Sequence, residues 1–120
     1  IGTASEWMLT GRVVDANTAL AAGLVRSLHD PVDLLPAAYE LAREIADHAA
    51  PVSAAMTRQL LWRMLAVENP MTAHLAESRG LASRSRSADA KEGVESFLAK
   101  RPAEFPDSVS SGYVDMFDED

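Results

Sequence analysis

Apolar positions recur at spacings of three and four along most of this chain, and no strand-like alternation is long enough to build a sheet. Leu34, Ala38, Leu41, Ile45 and Ala49, widened by Leu35, Ala42 and Ala46, predict one helical face, with Glu40, Arg43, Glu44 and Asp47 lying off it. Val52, Met56, Leu60, Leu61, Met64 and Leu65 predict a second helix over roughly 51–67. A third carries Met71, Leu75, Ser78 and Leu81 or Ala82, and a last one has a narrow seam of Val94, Phe97 and Leu98. Residues 3–9 read as the end of an earlier helix.

The punctuation agrees with these periods. Asp30-Pro31 and Asn69-Pro70 pair a capping side chain with a proline at the first helical position, where its missing N–H costs nothing. Pro51 opens the second long helix, and Asp89 with Glu92 resembles a capping box. Thr10-Gly11-Arg12 predicts a turn, and Val13-Val14 and Leu24-Val25 short extended pieces. Between them lies an Ala-rich helix capped by Asp15 and stopped by Gly23. The expected fold class is mainly α, with a small unit over 1–28, a helical region over 29–106 and a tail over 107–120.

Charge changes the picture mostly at the C-terminus. The net charge is −7 over 120 residues, and Asp107, Asp115, Asp118, Glu119 and Asp120 fall in the tail without a basic residue, so the body is nearly balanced. Such a tail is expected to be solvated and disordered, the competing possibility being docking through Tyr113, Val114, Met116 and Phe117. An acidic chain argues against nucleic-acid binding. No apolar run approaches the ~20 residues of a membrane span, and no secretory pattern opens the chain, which fits a cytoplasmic protein. The absence of cysteine excludes disulfides, zinc-thiolate sites and cysteine nucleophiles.

Candidate chemistry is sparse. His29, His48 and His74 are far apart and share no helical face, so no metal site is expected. There is no glycine-rich phosphate loop and no G-x-S-x-G elbow. Glu40/Glu44 and Asp89/Glu92 read as solvated or capping acids. Six of the eleven cations, Arg79, Arg84, Arg86, Lys91, Lys100 and Arg101, gather in the last two helices. They are either a solvated face or a site for a phosphorylated ligand.

The order of the motifs distinguishes these possibilities. Glu6-Trp7-Met8-Leu9-Thr10-Gly11-Arg12, then Asp15-Ala16 through Ala19 to Gly23-Leu24-Val25, then Leu41-Ala42 and Ile45-Ala46 before Pro51, resemble successive segments of the crotonase superfamily. Ser87, Asp89, Glu92-Gly93, Phe97 and Lys100-Arg101-Pro102 resemble the family's ending. The resemblance implies the C-terminal helical, trimerisation region of a ββα-spiral fold, the catalytic core being expected to lie outside this chain. It implies an enoyl-CoA hydratase/isomerase-type enzyme acting on acyl-CoA thioesters, with no separate cofactor, assembled as a homo-oligomer (trimer or hexamer). No catalytic residue is implied here. Lys100 stands where the family has a lysine that reaches a nucleotide phosphate of coenzyme A, and Leu81 stands near an aromatic that packs on the adenine. The sequence departs from the family pattern at Leu81, at Arg58 where many members have lysine, and at Ala99 where an acid is usual. The alternative function is a non-catalytic helical oligomerisation module.

Overall fold

The computed structural model describes residues 1–117 and divides into two units, Ile1–Ala42 and Arg43–Asp120. Its helices are α1 (Gly2–Thr10), α2 (Ala16–Ala21), α3 (Leu34–His48), α4 (Pro51–Met64), α5 (Pro70–Arg84), α6 (Ala88–Ala99) and the short α7 (Val109–Gly112). Among the described residues none forms a strand, so the chain is mainly helical as its periodicity requires. No helix among them is long and apolar enough to cross a membrane.

In the first unit, local chemistry sets the boundaries. Gly11 adopts φ 60° after α1, and its N–H donates to the Trp7 carbonyl. The Asp15 carboxylate accepts from the Thr18 N–H at 2.9 Å and from the Thr18 hydroxyl at 2.7 Å, capping α2. Those two bonds, the backbone one first, hold Asp15 below the usual carboxylate range. Gly23, at φ 74°, lets the chain reverse after α2. Pro31 lies in a turn ahead of α3 rather than at its first position: the Asp33 and Leu34 N–H groups both donate to the Asp30 carbonyl, and the helix begins only at Leu34.

The second unit has a small core. Val52, Met56, Ala76 and Met116 are buried, with Leu60, Tyr113 and Phe117 packed around them. Val52 and Met56 come from the predicted stripe of α4, and burying each contributes roughly 1.5–3 kcal/mol. Leu60 packs at the edge of this core, while Leu61 and Leu65 of the same stripe stay largely exposed. The stripe of α3 contributes no buried residue at all.

The tail departs most from expectation. Its described part, 107–117, crosses α4 and α5 and places Met116 in the core at 3% exposure. Glycines make the approach possible: a Cβ at Gly80 would lie 2.6 Å from Met116 Sδ, and one at Gly112 would lie 3.1 Å from Val52 Cγ2. The tail acids are paired with arginines distant in sequence, Asp107 with Arg84 and Asp115 with Arg63. Asp118, Glu119 and Asp120 lie outside the described residues.

Helix α6 also differs in detail. Its cap is Ser87, whose hydroxyl accepts from the Ala90 N–H, and not Asp89, which is buried. Phe97, expected to secure α6, is exposed. The helix is held instead by polar contacts with the chain that doubles back after it.

Candidate functional site

The charged groups of α5, α6 and the following loop form two clusters. At the first, the Arg84 guanidinium donates from Nη2 to Asp89 Oδ2 at 3.0 Å and to Asp107 Oδ2, and from Nη1 to the Gly112 carbonyl at 3.4 Å. The Asp107 N–H in turn donates to Asp89 Oδ1 at 2.9 Å. The Asp89 side chain is only 2% exposed, so its charge depends on these partners. Both Asp89 oxygens accept a hydrogen bond within the cluster. This cluster fastens α5, α6 and the tail together.

The second cluster closes the end of α6. Arg101 grips Glu92 with two bonds of 2.6 and 2.8 Å, and the Glu104 N–H donates to the same carboxylate at 2.7 Å. The Arg101 bonds, then the Glu104 N–H, bring the Glu92 carboxyl down from 4.5 to about 2, and Glu92 raises Arg101. A carboxyl depressed on folding stabilises fully above its unfolded pKa and loses that contribution as pH falls through the folded one. The loss for Glu92 therefore runs from about 4.5 down to about 2. In a Glu92→Gln variant the thermal midpoint should lie below wild type near neutral pH and converge on it across that window. Parallel acid profiles would remove the clamp from the account.

Lys100 sits between this clamp and α6. It caps the helix in the left-handed conformation, φ 54° and ψ 39°, and is the non-glycine residue with positive φ among those described. Glycine is the ordinary occupant of such a position, and a side chain there costs roughly 1–2 kcal/mol. Its Nζ lies 4.3 Å from the centroid of the exposed Phe97 ring. A cation is thus presented on strained backbone, steadied by the clamp beside it.

Leu81, the other sequence candidate, is exposed on α5. It lines a groove of about 270 Å³ together with Met56, Leu60, Gly80, Arg84 and Met116. A smaller groove of about 200 Å³ joins Leu81 to Ser85, Ser87 and Asp89. Lys100 is not among the residues lining either, so the structure does not bring the two candidates into one groove. The histidines are dispersed: His29 bonds Ser27, and His48 Nδ1 donates to the Glu44 carbonyl. Among the described residues no group of three or more His, Cys, Asp or Glu side chains converges as a metal cage would. The Arg84 cluster escaped the sequence because its members are 5 and 23 positions apart, with no motif to join them.

Comparison with known proteins adds family information. Residues 2–108 match the family described as enoyl-CoA hydratase/isomerase. An enoyl-CoA hydratase of Alternaria alternata is 40% identical over 90% of this chain, which corresponds to 36% of that protein. A putative enoyl-CoA hydratase of Thermus thermophilus is 36% identical over 85% of the chain and 40% of its own length. A probable enoyl-CoA hydratase of Rhizobium meliloti is 38% identical over 85% of the chain and 39% of its own length. The chain thus spans well under half the length of these curated relatives.

Proposed function

Because the chain belongs to the enoyl-CoA hydratase/isomerase family, we propose that it forms the C-terminal helical part of an enzyme adding water reversibly to 2-enoyl-CoA thioesters. In this role it supplies subunit contacts and part of the coenzyme A site, while the proton transfers belong to residues elsewhere in the protein. The observation carrying the proposal is the family match over residues 2–108, joined to the ordered motifs from Glu6 to Pro102. Two structural features support it.

The first is Lys100. Backbone strain persists where the surrounding structure enforces it, and such positions cluster at ligand contacts. A lysine held in a glycine-type conformation beside the Arg101–Glu92 clamp suits a point charge for a nucleotide phosphate. Leu81 offers an exposed apolar side chain on α5, away from Lys100 at the end of α6, in place of the flat aromatic of the family pattern. The acyl-CoA ester would then be substrate, with no separate cofactor required from this region.

The second feature is uncovered apolar surface. Leu34, Leu35, Tyr39 and Ile45 on α3, Leu61 and Trp62 on α4 with Leu65 just after it, and Val94, Phe97 and Leu98 on α6 are all exposed. Helix faces of this kind are covered by other protein in a working molecule. We assign them to contacts with the rest of the protein and with further copies in a homo-oligomer.

The complete protein should hydrate crotonyl-CoA. The 120-residue chain alone should show no turnover and should self-associate, eluting in size exclusion well above its 12.9 kDa. Turnover by the complete protein together with a monomeric, sharply melting 120-residue chain would overturn the assembly role. No turnover on any enoyl-CoA ester by the complete protein would overturn the enzymatic one and leave a helical oligomerisation module.

A further inference from the structure

The segment from Asp107 to Phe117 is fastened to α4 and α5 by two ion pairs of unequal burial. Near its start, Asp107 meets Arg84 with the side chains 25% and 14% exposed. Near its end, Asp115 meets Arg63 at 3.3 Å with 30% and 45% exposure. Just past Asp115, Arg79 donates to the Met116 carbonyl at 3.3 Å, and Met116 enters the slot above Gly80. Arg63 also covers the Phe117 ring at 4.5 Å, and the Phe117 N–H donates to Asp115.

We propose that residues 107–117 act as a hinged strap, held at Asp107 and releasable from the Asp115 end. The difference in burial sets the direction. Salt screens an exposed pair strongly and a sheltered one weakly. The Arg84 pair is further tied to buried Asp89, so its loss would leave that carboxylate unpaired. Screening therefore loosens Asp115, Met116 and Phe117 before it reaches Asp107. Opening withdraws Met116 from the groove of about 270 Å³ and joins its slot to the surface beside Leu81. The strap is thereby a salt-sensitive cover for an apolar slot lined by Met56, Leu60, Gly80 and Leu81 with Arg84 beside them, a device independent of the coenzyme A contact proposed for Lys100.

Hydrogen exchange followed by mass spectrometry on the complete protein tests this. Raising NaCl from about 0.1 M to about 1 M shortens the screening length from about 10 Å to about 3 Å. Exchange over 113–117 should then become roughly two- to five-fold faster, the size of one exposed ion pair, while peptides of α4 and α5 keep their rates. Asp115→Asn should give the faster rate already at low salt and abolish the salt response. Unchanged exchange at 113–117, or acceleration only in step with α4 and α5, overturns the strap. So does an Asp115→Asn protein that exchanges like wild type.

Discussion

Replacing Arg84 by methionine should lower the stability of the helical unit by about 3–5 kcal/mol, the usual consequence of stranding a buried charge. Methionine keeps most of the side-chain volume, so the loss reports charge rather than packing. It leaves Asp89, with its side chain 2% exposed, facing only the Asp107 N–H and a second carboxylate. Asp89→Asn added to Arg84→Met should recover part of the loss, because a neutral amide has a far smaller desolvation cost than an anion. Denaturant unfolding of the complete protein, followed by far-UV circular dichroism, gives both values. A single-variant loss below about 1 kcal/mol would mean that the cluster behaves as a surface pair. Absence of any recovery in the double variant would move the cause to packing.

The second large effect concerns Lys100. In the complete enzyme, Lys100→Ala should raise KM for an enoyl-CoA ester roughly ten-fold or more, the scale of one charge-assisted hydrogen bond. Turnover at saturation should change little, since a contact remote from the reacting atoms binds substrate and transition state alike. Lys100→Gly separates charge from backbone. It should lose the same affinity while gaining up to about 1 kcal/mol in stability, because glycine accepts φ 54° freely. An unchanged KM in both variants would reduce Lys100 to a solvated cation stacked on Phe97.

What could be read from the sequence was what acts locally. Asp15, Gly23, Asn69-Pro70 and Pro51 set helix ends through groups a few residues away, and the structure has those ends where the residues ask for them. The period of α4 showed which face would find a core, because Val52 and Met56 lie on one side of a helix whatever covers them. Legibility failed where partners are distant. The tail acids read as solvated because nothing near them is basic, whereas their arginines stand 23 and 52 positions away. Asp89 read as a cap because caps are local; in the structure Ser87 has that place and Asp89 is turned inward. The left-handed backbone of Lys100 has no side-chain signature at all. It belongs to the helix stop itself, where the Lys100 and Arg101 N–H groups donate to the Phe97 and Ser96 carbonyls.

Gly80 and Met116 form a lock across 36 residues of chain, and this has a consequence for how the sequence can vary. Any side chain at Gly80 needs the space of Met116 Sδ, 2.6 Å from where its Cβ would stand. Met116 would have to shift to admit it, and Met56 Cε stands 3.2 Å from the same point, so changes at the two positions should be coupled. In homologues that keep a long apolar residue at the place of Met116, the place of Gly80 should stay glycine. Where the chain stops short of the strap, alanine or serine becomes admissible there, and α5 gains the helix propensity that its glycine now withholds. Covariation between these two columns would record the strap's presence in chains for which no structure exists.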